Sequence, residues 1–409
     1  MQLYQQGPSP VKAATDRRKD DAVSLVREPV TSPATFTSSA RAVFKRLIAV
    51  GQATRPQLCE DLNLSRPTLS AAMAELSRFD YVEVIGQAQG HTGRTAAIYQ
   101  IGKGAGHTIA VDAGSTVIRY RVAYLDGRLL LAGTYALSSG QRHMSAEISR
   151  MVDQAISKAL SAAAPDWGPL RAVGVAVPAR VTGQSRLMQP GREILTFDGF
   201  SLPAGVPLVL ENNVNCAAIA EYNYGAAIGR PDFAFVQVGL KIGMGMVLRG
   251  ELIRGRNGAA GEVSHLPFPW SASETPQPET LEDYLGVEAF MARVRADWPD
   301  DDIPRDSVDL FDRASKGDAA ATAHIRRHGH DIGRLVSAGI AVIDPGFAVL
   351  GGGVGSLPLL LPYVREEVAR LSYSTDIETS TLGADATLLG IGKLAAARAQ
   401  TDLIDTVNG

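Results

Sequence analysis

Three side-chain amides and a carboxylate follow one another just after a short apolar run. The run, residues 207–210, has the length of a buried strand, and residues 211–215 (Glu-Asn-Asn-Val-Asn) lead from it into an alanine-rich, helix-favouring segment. Polar groups at the carboxyl end of a strand, facing the start of a helix, are where open α/β sheets bind ligands. The same segment is also compatible with a plain helix cap by Asn213 or Asn215, so both interpretations stay open at this point.

The chain has 409 residues, of which 45% are hydrophobic. This is enough material for two or three globular domains with substantial cores. No apolar run reaches the roughly 18 residues of a membrane span and no signal-peptide segment follows the start, so we expect a cytoplasmic protein without a membrane partner. The cysteines, Cys59 and Cys216, fall in different predicted domains, which argues against a disulfide and against a cysteine-based zinc site.

The net charge of −3 is distributed unevenly along the chain. Residues 1–37 are rich in polar residues and proline, with a mixed charge run and no sustained periodicity, and we predict a flexible tail there. Residues 38–102 carry seven basic and five acidic side chains, so the acidic excess lies elsewhere. A mildly basic small segment joined to a more acidic large one is compatible with a nucleic-acid reader joined to a sensor.

The segment that follows the tail has the pattern of a helix-turn-helix. Apolar residues at helical spacing stop at Gly51, and a short second helix is predicted over residues 55–62. Ser65 is then placed to cap a third helix over residues 66–79. In this arrangement the start of the third helix enters the major groove of DNA.

Two strand-like runs, residues 81–85 and 97–101, are joined by a loop with glycine and arginine, and we interpret them as a wing. Arginines would contact phosphates and set the salt dependence of binding, whereas small polar side chains at the start of the third helix would contact bases. The candidate DNA-binding residues are Arg46, Arg66, Pro67, Thr68, Ser70, Ala71 and Arg94. One such module reads few base pairs, so we expect a homodimer or homotetramer on double-stranded operator DNA. A module used only for protein contacts is the alternative.

Beyond residue 102 the sequence alternates between strand-like and helix-like segments. Three antiparallel strands are followed by a helix and a further buried strand, and a second half then begins again with a strand at residues 234–239. This repetition suggests two duplicated α/β lobes around a cleft. The first-half strands are predicted at residues 107–112, 119–125, 128–133 and 172–177, and the helix at residues 144–163.

Five short motifs in order carry a resemblance to a known family. They occupy residues 112–116, 175–178, 211–215, 258–265 and 349–355. Their order and spacing resemble the ROK family of sugar kinases and related repressors over almost all of residues 107–400. The winged module resembles that of the family's transcriptional regulators, such as the xylose-repressor type.

The resemblance implies the fold class and the domain boundaries. The fold is expected to be α/β, with an N-terminal winged helix-turn-helix followed by a two-lobed actin-like ATPase fold of the ROK sugar-kinase type. The sensor domain would occupy residues 103–409. One lobe would comprise residues 103–210 with a C-terminal helix at about 385–409, and the other residues 211–384.

Two departures from the family pattern bear on catalysis. Asn213 lies where the family's kinases have an aspartate that takes the proton from the attacking sugar hydroxyl. An amide cannot accept that proton near neutral pH, although it can still hydrogen-bond the hydroxyl. The second departure lies at residues 239–245, where the family has a glycine-rich phosphate loop. Leu240 replaces a threonine there, and Lys241 replaces a glycine that allows close approach of nucleotide phosphates. The resemblance therefore implies sugar binding without kinase chemistry and argues against ATP as a cofactor, although Lys241 could instead neutralise a phosphorylated ligand.

The resemblance also assigns two sets of binding positions. Carboxylates and amides suit a polyol, because each accepts or donates in a fixed geometry. The sugar-binding candidates are Asn212, Asn213, Glu262, His265 and Glu282. The vestigial nucleotide-binding candidates are Asp112, Gly114, Thr116, Gly243 and Gly352. Judged without the family, Glu262 would be a helix-end partner and Glu282 a solvated acid in a first helical turn.

No metal is expected. The family's zinc site combines a histidine, matched here by His265, with three cysteines, but residues 267–282 contain no cysteine. Another histidine group, His324, His328 and His330, lies in a predicted helix, and we expect all three to be surface residues.

Together these features predict a DNA-binding transcriptional regulator, a repressor of carbohydrate uptake or catabolism genes. Its kinase-derived domain would be catalytically inactive and would bind a sugar or sugar phosphate effector that changes operator affinity. One alternative is an active or bifunctional ATP-dependent sugar kinase. The other is a regulator triggered by a partner protein, with a vestigial cleft.

Overall fold

The computed structural model describes residues 36–89, 95–140, 144–182, 187–189, 192–195, 200–269 and 273–405. Residues 1–35, which make up nearly all of the predicted tail, lie outside the described residues. The tip of the predicted wing, including Arg94, also lies outside them.

The first described module has the predicted helices and wing strands. Gly51 ends the first helix with a φ of 77°, a left-handed conformation that glycine adopts without a steric cost. The elements of the module are α1 (Ser38–Val50), β1 (Gln52–Thr54), α2 (Arg55–Leu62), α3 (Arg66–Ser77), β2 (Val82–Gln89) and β3 (Thr95–Ile101). The three strands form one sheet in the order β1-β3-β2. The winged helix-turn-helix is thus confirmed, with one additional short strand, β1, that the sequence did not predict.

Phe36 and Thr37 belong to this module and not to the tail to which the sequence assigned them. The Phe36 side chain is 3% exposed, and its ring centroid lies 5.7 Å from those of Phe79 and Tyr81. The Thr37 side chain caps α1 by accepting a hydrogen bond from the Ala40 amide at 3.2 Å. The polar composition around these residues concealed one aromatic anchor and one helix cap.

The elements of the first lobe are β4 (His107–Ala113), β5 (Val117–Tyr124), β6 (Leu129–Ala136), α4 (Ala146–Ser161), β7 (Leu170–Val177), β8 (Arg180–Val181), β9 (Leu187–Gln189), β10 (Arg192–Leu195), β11 (Leu208–Asn212) and α5 (Asn213–Tyr224). Its main sheet has five strands in the order β11-β7-β4-β5-β6. Strands β4, β5 and β6 are antiparallel, whereas β7 and β11 run parallel to β4. A separate small sheet, β8 to β10, follows β7.

The second lobe repeats this topology. Its elements and the helix that follows them are β12 (Phe233–Val238), β13 (Ile242–Leu248), β14 (Glu251–Leu252), α6 (Glu282–Leu285), α7 (Val287–Ala296), α8 (Ser307–Ser315), α9 (Ala319–Ile343), β15 (Phe347–Gly351), α10 (Gly352–Gly355), α11 (Leu361–Leu371), β16 (Asp376–Thr379) and α12 (Ala386–Gln400). The sheet has the order β14-β13-β12-β15-β16, again with three antiparallel strands first and two parallel strands after them. The predicted duplication is therefore present strand for strand.

Helices α5 and α12 connect the two sheets. Helix α5 packs on the second sheet, where Val214 and Ala217 share a core cluster with Phe235. Helix α12 covers the first sheet. The two helices contact each other closely, because a Cβ atom at Gly390 would lie only 1.8 Å from the carbonyl oxygen of Cys216.

The end of α12 and the short helical segment after it also complete the core of the winged module. Ala395, Ala399, Leu403 and Ile404 are buried in the same cluster as the module's residues, including Phe44. This cluster spans sequence that was assigned to two separate domains. The C-terminal helix therefore packs on the first lobe, as predicted, and on the DNA-binding module as well.

His328 does not lie on the surface, so that prediction was wrong. Its side chain is 1% exposed, its ring is stacked on Phe290 with centroids 3.9 Å apart, and burial lowers its pKa to about 3. His324 and His330 are half-buried. The spacing of Ile325, His328 and Ile332 already placed His328 on the apolar stripe of α9, and this signal was available in the sequence.

Candidate functional site

The turn between β11 and α5 is held by Asn212. Its Oδ1 accepts hydrogen bonds from the amides of Val214, at 2.8 Å, and Asn215, at 3.3 Å. Its Nδ2 donates to the carbonyl of Ala179 at 3.2 Å. An asparagine does cap the helix, but it is Asn212 and neither Asn213 nor Asn215, and the cap lies within a larger polar arrangement.

Glu211 holds the β11–α5 turn through hydrogen bonds to Asn212 and Asn215. Its side chain is 3% exposed, and Oε1 accepts from the Asn212 amide at 2.8 Å and from Nδ2 of Asn215 at 3.0 Å. Its Oε2 accepts from Nε of Arg254 at 2.6 Å, which supplies the counter-charge that a buried carboxylate requires. Sequence reasoning missed Arg254, since it lies some forty residues away in a segment without a motif. The network leaves Asn213 half-buried in the first turn of α5.

All five predicted sugar-binding residues line one cleft between the lobes. The cleft contains about 710 Å³ of empty space that opens to solvent. Asn212 and Asn213 approach from the β11–α5 turn, Glu262 and His265 from the loop after β14, and Glu282 from the start of α6. Five residues from three separate segments thus meet in one place.

The cleft has a mixed charge. Within the described residues, the carboxylates of Glu262, Glu279 and Glu282 and the cations of Arg180 and Lys241 line it. Of these residues, the sequence had pointed to Glu262, Glu282 and Lys241 and had missed the other two. Fixed groups of both signs can donate to and accept from a polyol on several sides.

Glu262 and Glu282 differ in their surroundings. Burial raises the pKa of Glu262, and the nearby charges of His265, Arg180 and Lys241 oppose that rise. Glu282 is buried, and its Oε2 accepts a long hydrogen bond of 3.4 Å from the Ile242 amide. Glu282 is therefore not the solvated first-turn acid that local sequence alone would favour, and the Glu262 side chain does not cap the short helical turn that follows it.

The candidate nucleotide positions have internal packing partners. Asp112 is buried, and its Oδ2 lies 3.6 Å from Nη1 of Arg119 on the neighbouring strand. Burial raises its pKa to about 7, against the attraction of Arg119. Thr116 lies in the turn between β4 and β5, and it is exposed.

Gly114, Gly243 and Gly352 each face atoms that leave no room for a side chain. A Cβ atom would lie 2.5 Å from the Val117 carbonyl oxygen at Gly114 and 2.9 Å from a Val214 methyl at Gly243. At Gly352 the φ of +85° is in addition a left-handed conformation. Packing of the fold is thus sufficient to require these glycines, whether or not a nucleotide binds.

The start of α3 presents the predicted base-contacting surface. Ser65 caps the helix, and its hydroxyl lies 2.8 Å from that of Thr68. The exposed residues at this end are Arg66, Pro67, Thr68, Ser70 and Ala71, whereas Leu69, Ala72, Met73 and Leu76 are buried. The start of α3 therefore has an exposed polar face and a separate buried apolar stripe.

Arg46 has an internal partner. Its Nε donates to Oδ2 of Asp61 at 2.8 Å, which joins α1 to α2. Its proposed phosphate contact remains a prediction, and the ion pair gives it a structural role in the module.

No group of three or more histidine, cysteine or acidic side chains is placed to hold a metal ion in the part of the chain that the structure describes. None of the helices in that part is both long enough and apolar enough to cross a membrane.

The fold and the cleft together define a two-lobed α/β protein of the sugar-kinase type that carries an N-terminal winged helix-turn-helix. The ROK family model matches residues 108–398, which is most of the chain. The chain belongs to the ROK family.

Relatives of both kinds are found. The chain is 25% identical to a beta-glucoside kinase of Klebsiella pneumoniae over 292 aligned residues. The alignment covers 69% of this chain and 93% of the kinase. It is 22% identical to the xylose repressor of Bacillus spizizenii over 364 aligned residues, and this alignment covers 86% of this chain and 93% of the repressor. A crystal structure of a ROK family transcriptional regulator, a homologue of the E. coli MLC protein, superimposes with a TM-score of 0.69 at 18% identity, covering 89% of this chain and 96% of that one. The match to the repressor is longer than the two lobes and therefore reaches into the residues before them, whereas the match to the kinase has about the length of the two lobes.

Proposed function

We propose that this protein is a DNA-binding transcriptional regulator, a repressor of carbohydrate genes, whose two-lobed domain binds a sugar without phosphorylating it. The observation that carries the proposal is the combination of an exposed polar face at the start of α3 with an interlobe cleft lined by Asn213, the residue that the family resemblance aligns with the kinase base. The xylose repressor relative, which matches the chain along 86% of its length, supports the same assignment.

The cleft supports binding in preference to chemistry. The amide of Asn213 can hydrogen-bond a sugar hydroxyl but cannot take up its proton near neutral pH. Its Oδ1 already accepts from the Val214 amide at 2.9 Å. Glu262 and Glu282 supply further acceptors, so the cleft has hydrogen-bonding groups for a polyol and no proton acceptor at the catalytic position.

Helix α12 offers a physical route from the cleft to the DNA-binding module. Thr387 at its start donates from Oγ1 to the backbone carbonyl of Asn213 at 3.4 Å. Ala399 near its end lies in the core of the winged module. A sugar that favours one arrangement of the lobes would therefore act on α5 and α12, and through α12 on the position of α3 relative to a second copy.

The proposal is tested by thermal unfolding of the full chain with a panel of neutral monosaccharides, amino sugars, sugar phosphates and ATP. A ligand at about 100 times its Kd stabilises a protein by roughly 2.7 kcal/mol, which shifts Tm by several degrees. We expect one sugar to raise Tm and Glu262→Gln to lose most of that shift. A protein that no sugar stabilises would contradict the proposal and favour a regulator triggered by a partner protein.

An active sugar kinase is the second candidate. It is favoured by the beta-glucoside kinase relative, whose match spans 93% of that enzyme. ADP release by the purified protein with the stabilising sugar distinguishes the two. Sustained turnover that is lost in Asp112→Ala would establish the kinase, whereas sugar binding without ADP release supports the regulator.

A further inference from the structure

A second concave surface lies along α12, away from the sugar cleft, and none of its lining residues lines that cleft. Its empty volume is about 1190 Å³, open to solvent. Ile48 and Ala49 at the end of α1 line it, as do Arg121 on β5 and Leu388 and Lys393 on α12. The DNA-binding module, the first lobe and the helix that joins them all contribute to this surface, which we refer to as the α12 groove.

The α12 groove contains a half-buried cation, the ammonium of Lys393. Lys393 makes no hydrogen bond or ion pair with the residues that the structure describes, and burial lowers the pKa of its ammonium. A partly buried ammonium loses part of its hydration, and this loss costs free energy unless an anion compensates it. An anion in the groove would offset that cost.

The other charged groups of the groove add to the positive charge. Arg121 donates from Nη2 to the Gly127 carbonyl at 2.7 Å, and it forms no ion pair with a carboxylate in the described part of the chain. Asp126 is the one acidic residue among the described residues that line the groove, and its buried carboxylate is paired with Nε of Arg128 at 2.8 Å. The net charge of the groove is therefore positive.

Apolar side chains complete the surface. Leu125, Leu388 and Leu389 line the groove beside the two cations. Concave sites that combine apolar walls with a few convergent polar groups are typical of small-molecule binding sites.

We propose that the α12 groove is a second small-molecule site, which takes an organic anion whose oxyanion binds Lys393 and Arg121 and whose apolar part packs on Leu125, Leu388 and Leu389. The occupant contacts the DNA-binding module through Ile48 and Ala49 and the first lobe through Arg121. The site is independent of the sugar cleft and does not rest on the proposed function.

The test uses the full chain and the fluorescent probe anilinonaphthalene sulfonate, which has an aromatic body and one sulfonate. Phenylnaphthylamine, which has the same body without the sulfonate, is the matched uncharged probe. We expect saturable binding of the sulfonate at one site and weaker binding of the uncharged probe. Lys393→Met and Arg121→Met should each weaken sulfonate binding about 10-fold, as expected for loss of a charge-assisted contact.

The controls distinguish binding in the α12 groove from nonspecific binding of the probe to exposed apolar surface. Lys393→Arg should retain sulfonate binding, and so should Lys158→Met, which removes an exposed lysine on α4. Far-ultraviolet circular dichroism and Tm of each variant confirm that it is folded. Equal sulfonate affinity in Lys393→Met and wild type would overturn the proposal. Displacement of the probe by a sugar that binds the cleft, or equally tight binding of the uncharged probe, would also overturn it.

Discussion

At the scale of single residues, the cleft shows how one segment can serve both fold and function. Asn212 caps α5, Glu211 is buried behind it, and Asn213 remains half-buried at the cleft. The sequence indicated that these amides belong together, because they follow a strand and precede a helix. It could not indicate Arg254 or Arg180, whose proximity depends on how distant loops return to the cleft.

The pKa of Glu262 leads to a pH-dependent affinity for sugar. Burial raises this pKa above its ordinary value of 4.5, and only the charged carboxylate accepts hydrogen bonds on both oxygens. Sugar affinity should therefore fall as pH falls through the raised pKa, and the decline should begin above the ordinary range. Isothermal titration between about pH 4.5 and 8 measures this.

Two variants test the assignment of that pH dependence. Glu262→Gln should bind sugar about 10- to 100-fold more weakly at neutral pH, with little further loss on acidification. His265→Gln removes the histidine that also lines the cleft and should leave the acid limb in place. An unchanged acid limb in Glu262→Gln would contradict the role of this carboxylate.

Asp112 should make the folded protein less stable as pH rises. Its folded pKa of about 7 exceeds the ordinary 3.8, so between these values the folded state holds a proton that the unfolded state has lost. The free energy of unfolding of wild type relative to Asp112→Asn should fall by about 1 kcal/mol between pH 6 and 8. Urea unfolding at both pH values measures the difference, and a difference that does not change with pH would be inconsistent with a protonated Asp112.

At the scale of elements, α3 and α12 carry most of the functional argument. The sequence predicted α2 to the residue, and in the structure Thr54 caps the start of this helix by accepting a hydrogen bond from the Gln57 amide. Helix α12 was predicted as well, but its contact with the core of the winged module was not. Small apolar residues such as Ala395 and Ala399 suit burial against any partner, so their sequence pattern does not name one.

The start of α3 should contribute to the electrostatic part of DNA binding. Arg66→Ala is expected to weaken binding to random-sequence duplex DNA and to lower the slope of log affinity against log salt by about 1. Arg78→Ala, at the opposite end of the same helix and also exposed, is the matched control and should leave the slope unchanged. Fluorescence anisotropy at several salt concentrations measures both. Equal slopes for the two variants would remove α3 from the interface.

The close contact of α5 with α12 can be tested with a pair of glycines. A Cβ at Gly390 would lie 1.8 Å from the Cys216 carbonyl oxygen, whereas one at Gly392 would lie at an ordinary 3.6 Å from the Ala110 Cβ. Gly390→Ala should therefore lower the free energy of unfolding by about 1–3 kcal/mol, and Gly392→Ala should be neutral or slightly stabilising. If α12 couples the cleft to the module, Gly390→Ala should also reduce the effect of sugar on DNA binding. A response to sugar that is intact in a folded Gly390→Ala protein would argue against this route.

At the scale of the whole molecule, the predicted architecture was largely correct. Strand length, helix periodicity and the ordered motifs gave the winged module and both lobes, and the second sheet repeats the first. The sequence missed features that depend on contacts between distant segments. Phe36 is buried in the winged module, and α12 completes the core of that module. His328 was misplaced because its type was weighed above its position on the apolar stripe of α9.

The most direct measurement is the affinity of the full chain for an operator duplex, selected from a random pool, with and without the sugar that stabilises it. We expect that sugar to change operator affinity by about 5- to 150-fold, the usual range of allosteric coupling, without ADP release when ATP is added. Glu262→Gln should bind the operator normally and require more sugar for the same change. Unchanged operator affinity at saturating sugar, together with phosphorylation of that sugar, would contradict the account.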